Sequence, residues 1–346
     1  MTTARIQTTL VGSYPVPQWL IAHPGEQALK DATAVVMHLQ ELAGIDLVVD
    51  GELYRFDPNH PETNGMIDYF VRPMDGIRTE LQRSDIELFH SQTHLGFRRR
   101  PAAVVEGPVG EGTLDLVEAY RNVAALSTRP IKFTLTSPYM LARMMLDTHY
   151  HDQHALTLAL ADVLATQVRA IDAAVVQVDE ANLPGRPEDA ELAAEAVNRI
   201  LDAVPNTPAV HLCFGNYGGQ QIQSGTWAKL IRFFDLIHAD HIVLELARPG
   251  YGDLEKVAEI NPKLKLGIGV IDIKTTVVEK PAEVARRIQA AADLLGGAER
   301  IAYVHPDCGF WILARSIADA KIHALVAGRD LFEGRPAAVR SGGPPD

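Results

Sequence analysis

The sequence predicts an α/β fold, a single (β/α)8 TIM barrel with an insertion between its second and third strands. Its 346 residues are 47% hydrophobic, which is enough for one large core. Short apolar runs rich in β-branched residues recur eight times, and a helical pattern follows most of them. Continuous apolar strands that alternate with helices indicate a parallel sheet covered on its faces. A doubly wound open sheet is the competing interpretation.

Turn signals bound each predicted strand. The strands cover residues 5–13, 45–52, 131–137, 173–181, 208–215, 241–247, 265–273 and 300–309. Between them, helical spacing predicts helices over 25–44, 155–173 and 280–297. The first of these ends at Gly44, a residue type typical of helix C-termini. The last has Pro281 near its first turn, where a missing N–H is tolerated.

Two segments do not follow this repeat. About eighty residues separate the second strand from the third, which is too long for one return helix. We expect this insertion, 53–130, to form a hairpin and loops over one barrel end. The C-terminal segment is rich in Pro, Gly and Ser, so we expect one barrel domain over 1–332 and a flexible tail over 333–346.

Composition excludes several classes of partner. The chain has 44 acidic and 32 basic residues, a net charge of −12, which disfavours nucleic acid and anionic membranes. No apolar run approaches the ~18 residues that span a bilayer, and the N-terminus does not read as a signal peptide. With two cysteines, a disulfide framework is implausible, and we expect a cytoplasmic protein.

Polar side chains stand where nearly every predicted strand ends, which is where barrel enzymes carry their chemistry. These residues are Ser13, Glu52, Ser137, Asp179, Glu180, His211, Cys213, Glu245, Asp272, Lys274, Asp307 and Cys308. For Ser137 and Asp307, capping of the next helix is an equally good interpretation. For carboxylates inside apolar strands a purely structural role is less favoured, because a buried unpaired carboxylate is costly.

Four of these residues predict a metal site. His211 and Cys213 are two positions apart in a strand, so their side chains share one face. Glu245 and Cys308 stand at the ends of the sixth and eighth strands, which a closed barrel brings near the fifth. The four form a tetrahedral N/S/O set suited to zinc. The alternative is two buried free cysteines that act as small hydrophobic residues.

A zinc ion bound by two thiolates and a carboxylate is electron-rich and a poor Lewis acid for hydrolysis. Such an ion can instead hold a substrate thiol as its nucleophilic thiolate. The predicted site therefore favours alkylation of a sulfur atom.

At these residues the sequence resembles the catalytic C-terminal barrel of the cobalamin-independent methionine synthases. "HLC" (211–213), "LELA" (244–247) and "HPDCG" (305–309) are similar to that family's zinc motifs. "VGS" (11–13), "DGE" (50–52) and "QVDEANLPG" (177–185) are similar to its homocysteine-binding strand ends. The resemblance covers residues 5–330. It implies Zn²⁺ as the cofactor and homocysteine as the substrate, with the substrate held by Val11, Gly12, Ser13, Glu52 and Asp179.

The sequence also departs from this family. In "VIDIKTT" (270–276), Lys274 stands where the family has a histidine, and Lys274 and Asp272 are the candidate catalytic residues. "FRRRPAAVV" (97–105) is only loosely similar to the folate-contacting tract, so Arg98–Arg100 face either an anionic donor or solvent. We expect no counterpart of the family's additional N-terminal barrel. We therefore expect the methyl donor to be methylcobalamin or a corrinoid protein, with methyltetrahydrofolate as the alternative.

Three functions follow from these motifs. The first is transfer of methyl to homocysteine, which gives methionine. The second keeps the thiolate chemistry but opens an epoxide with a thiol such as coenzyme M. The carboxylates Glu52 and Asp179 favour an amino-acid thiol over the sulfonate of coenzyme M. The third is a non-catalytic barrel that binds zinc or an amino acid.

Overall fold

The computed structural model describes residues 5–57, 64–92, 99–215, 225–261 and 263–335. Its strands are β1 (Gln7–Thr8), β2 (Val48–Val49), β3 (Asp75–Arg78), β4 (Val104–Gly110), β5 (Ile131–Thr136), β6 (Leu146–Asp147), β7 (Val175–Glu180), β8 (Thr207–Leu212), β9 (His241–Leu244), β10 (Lys265–Ile271) and β11 (Ile301–Pro306). Eight of them form one sheet in the order β1-β11-β10-β9-β8-β7-β5-β2.

This sheet is a parallel barrel. Every strand pair in it is parallel. Its two edge strands are joined by parallel bridges between Thr9 and Leu47 and between Ser13 and Gly51. The eight strands overlap the eight predicted runs, and the predicted barrel is confirmed over the open-sheet alternative.

Helices return the chain between the strands. They are α1 (Gln18–Ala22), α2 (Glu26–Ala43), α3 (Asp68–Val71), α4 (Arg83–Gln92), α5 (Leu116–Ala124), α6 (Pro138–Met144), α7 (Gln153–Val168), α8 (Ala190–Leu201), α9 (Ile231–Leu236), α10 (Leu254–Glu259), α11 (Pro281–Leu294) and α12 (Arg315–Phe332). Short 3-10 turns cover Leu53–Arg55, Leu183–Gly185, Pro187–Asp189 and Trp227–Leu230.

Helix ends follow the sequence signals. Gly44 ends α2 with a φ of 89°, a left-handed conformation that favours glycine, and its N–H bonds to the carbonyls of Gln40 and Glu41. Pro281 is the first residue of α11. The buried residues of α2 include Ala32, Val36 and Ala43, the spacing of one helix face packed on the sheet.

The insertion after β2 contains a smaller sheet. Strands β3 and β4 belong to the insertion and pair antiparallel, and β6, which follows β5 outside the insertion, adds to β4 in parallel. These two antiparallel strands are consecutive in the chain, with α4 between them, and the predicted form of the insertion stays a prediction. Because the insertion follows the C-terminal end of β2, it stands on the side of the barrel where the predicted site residues lie.

At the other end of the chain, α12 ends at Phe332 and the description stops at Arg335. Most of the predicted tail lies outside the described residues, so the boundary at 332 stays a prediction. Within the described part, no helix is long and apolar enough to cross a membrane. The cytoplasmic location also stays a prediction.

Candidate metal and substrate site

Three potential metal ligands lie together at the C-terminal ends of the strands. His211 belongs to β8, Cys213 follows β8, and Cys308 follows β11. Their donor atoms all lie within 4.8 Å of one another, and the two sulfur atoms are 4.0 Å apart. Two sulfurs bound to one tetrahedral zinc at about 2.3 Å lie about 3.8 Å from each other. The spacing therefore fits a zinc ion.

His211 is prepared to act as a ligand. It is 2% exposed, and its Nδ1 lies 3.0 Å from the carbonyl oxygen of Val243. A proton on Nδ1 makes this contact a hydrogen bond and leaves the lone pair of Nε2 available. Nε2 is buried with no hydrogen-bond partner among the described residues. Burial lowers the pKa of His211 to about 3, so the ring is neutral at physiological pH.

The two cysteines differ in their surroundings. Cys213 is 4% exposed, and Cys308 is half-buried. Contact with the Cys308 thiol, and then burial, raises the pKa of Cys213 well above its usual range. Deprotonation of this thiol thus requires a cation, which a metal ion would supply.

Glu245, predicted as the fourth ligand, has both oxygens engaged by the protein. Oε1 accepts a hydrogen bond from Lys274 Nζ at 2.5 Å, and Oε2 accepts one from the N–H of Phe214 at 2.9 Å. The Lys274 and Glu245 side chains are 2% and 0% exposed. Glu245 is not part of the group of donor atoms found within 4.8 Å. Its coordination of zinc stays a prediction.

Asp272, the other candidate catalytic residue, shapes the loop that carries Lys274. Its Oδ1 accepts from the N–H of Lys274 at 2.8 Å, and its Oδ2 accepts from Arg248 Nη1 at 3.1 Å. Both carboxylate oxygens therefore hold neighbouring chain segments in place.

Asp307 has a structural role of the same kind. Oδ1 accepts from the N–H groups of Leu246 and Ala247 at 2.8 and 2.7 Å, and Oδ2 accepts from that of Arg248 at 2.9 Å. Burial, and then the nearby Glu245, raises the pKa of Asp307 to about 7. The residue fixes the loop after β9 instead of capping a helix.

Ser137 is a helix cap. Its Oγ accepts from the N–H of Met140 in α6 at 3.4 Å and donates to Oε2 of Glu180 at 2.5 Å. Oε1 of Glu180 accepts from the N–H groups of Asn182 and Leu183. The capping interpretation holds for Ser137, and Glu180 serves the turn after β7.

Glu52 is held firmly in an unusual backbone conformation. Its φ is 57°, which is uncommon for a residue with a side chain, and Oδ1 of Asp50 accepts from its N–H at 2.8 Å. Its Oε1 accepts from Thr134 Oγ1 at 2.6 Å and lies 3.2 Å from Arg55 Nη1. A Cβ added to Gly12 would lie 2.1 Å from the same oxygen. The glycine therefore leaves room for the carboxylate.

Asp179 lies in the same part of the barrel. It is 5% exposed, and its Oδ1 accepts from Gln177 Nε2 at 2.7 Å. Gln177 Nε2 also donates to the carbonyl of Val11 at 2.9 Å. Burial, and then the negative charge of Glu52, raises the pKa of Asp179 to about 8. Val11, Gly12, Glu52 and Asp179, all predicted to bind substrate, are therefore connected through direct contacts or a shared partner.

Ser13 connects this carboxylate pair with the metal ligands. It bridges to Gly51 next to Glu52, and its carbonyl accepts from the N–H of Phe310 at 2.8 Å. A Cβ added to Gly309, the residue after Cys308, would lie 2.0 Å from Ser13 Oγ. The two halves of the predicted site thus form one continuous region.

Sequence reasoning missed Lys132 and Gln177, which lie inside the barrel. Lys132 is 1% exposed and Gln177 is 0% exposed. The signal was present: in "IKFTLT", Lys132, Thr134 and Thr136 alternate with apolar residues, so a polar face of β5 points into the barrel.

Of the three arginines predicted to face the methyl donor or solvent, Arg98 lies outside the described residues. Arg99 and Arg100 are exposed. A cavity of about 500 Å³ is lined by insertion residues that include Tyr54, Arg55, Tyr69, Arg72 and Asp115. The insertion therefore forms a cleft beside the residues that hold Glu52.

The fold and these side chains define a class of protein: a (β/α)8 barrel with a His/Cys/Cys group that could hold a metal ion, beside a pair of buried carboxylates. Residues 6–329 match the family described as "Cobalamin-independent synthase, Catalytic domain". The chain belongs to this family, as the sequence motifs predicted.

Named relatives cover nearly the whole chain. The methionine synthase of Thermococcus kodakarensis is 28% identical over 345 residues, which is 94% of this chain and 93% of that protein. The methionine synthase of Pyrococcus abyssi is 27% identical over 340 residues, which is 93% of this chain and 91% of that protein.

Solved structures show the same fold. A B12-independent methionine synthase from Shewanella, in complex with selenomethionine, has a TM-score of 0.78 and 22% identity. The match covers 96% of this chain and 98% of that chain. A methyltransferase from Methanosarcina mazei has a TM-score of 0.59 and 14% identity, with 95% of each chain covered.

Proposed function

We propose that this protein transfers a methyl group to the sulfur of homocysteine and thereby forms methionine, with Zn²⁺ as its metal. The family, and the activity named for its relatives, support a methyltransferase of this type. The observation that carries the proposal is the continuity of a His/Cys/Cys donor set with two buried carboxylates. A metal that activates a thiol and an anionic pocket that binds an ammonium group together fit an amino-acid thiol.

The donor set suits zinc. His211 offers a neutral imidazole nitrogen that has no other partner among the described residues, and Cys213 and Cys308 offer two sulfurs at a suitable separation. When bound, zinc would lower the pKa of a coordinated substrate thiol and leave its sulfur nucleophilic at neutral pH. Glu245 remains our candidate for the fourth ligand.

The carboxylates would bind the ammonium group of the substrate. Glu52 is fixed by Thr134 and Arg55, and Asp179 is fixed by Gln177, so neither needs to reorganise on binding. Ser13 and nearby backbone N–H groups would take the substrate carboxylate. The sulfonate of coenzyme M would be repelled here, which disfavours the epoxide-opening alternative.

In the transfer step, the sulfur forms a bond to the methyl carbon, and the bond from that carbon to the donor breaks. The electron pair of the broken bond leaves with the donor. A departing folate nitrogen must gain a proton, whereas the cobalt of a methylcorrinoid need not. Lys274 Nζ is bound to Glu245 and points its charge at that carboxylate, which favours a role in organising the site over proton donation.

We therefore favour a methylcorrinoid, free or carried by a protein, over methyltetrahydrofolate as the donor. The insertion would shape the surface on which the donor docks, because it forms the cleft beside Arg55. Asp272 and Lys274 would serve catalysis by fixing the loop next to the metal ligands.

The test combines purified, zinc-loaded protein with homocysteine and, in separate reactions, methylcobalamin, a methylated corrinoid protein or methyltetrahydrofolate. Methionine is quantified by mass spectrometry, and coenzyme M with an epoxide is assayed in parallel. Methionine formed from a corrinoid supports the proposal. Turnover with the folate alone overturns the donor assignment, and product from coenzyme M alone overturns the substrate assignment.

A further inference from the structure

The barrel interior below the carboxylate pair contains a buried cation that the proposed chemistry does not use. Lys132 is on β5 and is 1% exposed. Barrel interiors are usually filled by branched apolar side chains, and burying an ammonium group is costly. Burial lowers the pKa of Lys132 to about 7, although Asp179 and Glu52 act in the opposite direction.

Lys132 is connected to Asp179 through one side chain. Its Nζ donates to Oε1 of Gln177 at 2.8 Å. The Nε2 group of Gln177 then donates to Oδ1 of Asp179 at 2.7 Å and to the carbonyl of Val11 at 2.9 Å. All three side chains are buried, and they span β5 and β7 and reach the segment after β1.

The donors and acceptors of these groups fix the orientation of the Gln177 amide in the series Lys132, Gln177 and Asp179, which we call the relay. An ammonium group has only donors, so the amide of Gln177 must turn its oxygen to Lys132. Both amide hydrogens are then directed away from Lys132, to Asp179 and Val11. Without Lys132, the Val11 carbonyl alone would favour this orientation, and an amide that rotated would present its oxygen to the Asp179 carboxyl and lose the hydrogen bond to Oδ1.

We propose that Lys132 is a positioning residue for substrate binding, which acts through Gln177 to hold Asp179 in the orientation that receives the substrate ammonium group. This inference rests on the proposed function, because it assigns Lys132 to the recognition of an amino-acid thiol. A purely structural interior position would be filled better by an apolar side chain, since replacing buried charges with apolar groups is often neutral or stabilising.

The experiment compares two ligands on zinc-loaded protein by calorimetry: homocysteine and its desamino analogue, a butanoate with a terminal thiol. Lys132→Met removes the donor and keeps an unbranched side chain that is one atom shorter. Homocysteine affinity should fall about tenfold, as expected for weakening one hydrogen bond to a charged group, while affinity for the desamino analogue should stay within about twofold. Lys265→Met is the matched control. Lys265 is the first residue of β10, its side chain is half exposed, and it pairs with Asp240, which precedes β9.

A double-mutant cycle separates positioning from a general effect on the barrel. If Lys132 acts through Asp179, adding Lys132→Met to Asp179→Asn should weaken homocysteine binding no further. Gln177→Glu is a second variant that removes the donor to Asp179 but keeps a partner for Lys132. It should also lose selectivity for homocysteine, and it tests the relay if Lys132→Met does not fold.

The two proposals fail in different ways. The positioning role would be overturned if the double variant lost homocysteine affinity by the product of the losses in Lys132→Met and Asp179→Asn. So would equal losses for both ligands, or an unchanged preference for homocysteine in both relay variants. If the unmodified protein itself does not prefer homocysteine over its desamino analogue, the proposed substrate is wrong instead.

Discussion

Replacing Asp179 by asparagine should stabilise the zinc-loaded, substrate-free protein and weaken its binding of homocysteine. Asp179 is 5% exposed, and burial, with the Glu52 carboxylate as the second cause, raises its pKa from 3.8 to about 8. An acid whose pKa is higher in the folded state takes up protons on folding. Its contribution to the free energy of unfolding is therefore full below about pH 4 and declines as pH rises to about 8.

The magnitude follows from the same pKa. Each pH unit within that window lowers the contribution of Asp179 to the free energy of unfolding by about 1.4 kcal/mol. At pH 7 the buried acid therefore lowers the free energy of unfolding by at most about 4 kcal/mol. Local relaxation reduces this cost, and we expect Asp179→Asn to raise the free energy of unfolding by about 1–3 kcal/mol at pH 7. Homocysteine binding should weaken by about 1–3 kcal/mol because the substrate ammonium group favours the ionised carboxylate as its partner, and asparagine cannot supply it.

The assay is urea unfolding of the wild-type protein and the variant from pH 5 to pH 8, with zinc content measured in each sample. The stability difference should grow with pH. Asp31→Asn, on the exposed face of α2, controls for the substitution itself. A difference that is independent of pH, or a variant less stable than the wild type, would refute the reasoning about Asp179.

Three further predictions concern neighbouring residues. Cys213→Ser and Cys308→Ser should each lose zinc by metal analysis while circular dichroism shows the fold retained; full zinc in both variants would contradict the donor set. Glu52→Gln should weaken homocysteine binding by about 1–3 kcal/mol in calorimetry with unchanged zinc content, and an unaltered affinity would indicate a different thiol. Lys274→Met leaves the Glu245 carboxylate buried without its cation, so the metal-free protein should lose about 3–5 kcal/mol of stability. The zinc-loaded protein should lose less, because the metal can take the released carboxylate, and equal losses would place Glu245 outside the coordination sphere.

The sequence predicts the barrel well because its signals are local. Strand and helix periodicity, Gly44 and Pro281 each act within a few residues of the chain. The clustering of His211, Cys213 and Cys308 was also predictable, because the closure of a barrel brings fixed strand ends together. The pairing of Lys274 with Glu245 was not, since it depends on which of several nearby groups a long side chain contacts.

Side chains that approach β10 closely explain why this strand contains glycine near the candidate metal ligands. This strand lies between β9 and β11, yet the Asp307 carboxylate on the β11 side bonds to N–H groups of the loop after β9. It must therefore pass over β10. A Cβ added at Gly269 would lie 2.1 Å from Asp307 Oδ1 and 2.8 Å from the carbonyl oxygen of Leu244, and one added at Gly267 would lie 3.0 Å from Nε2 of His305. Glycine is unfavourable within a strand, so its presence twice in β10 reflects this close approach. The two residues without side chains allow one strand end to hold Cys308 and, through Asp307, to fix the loop that follows Glu245.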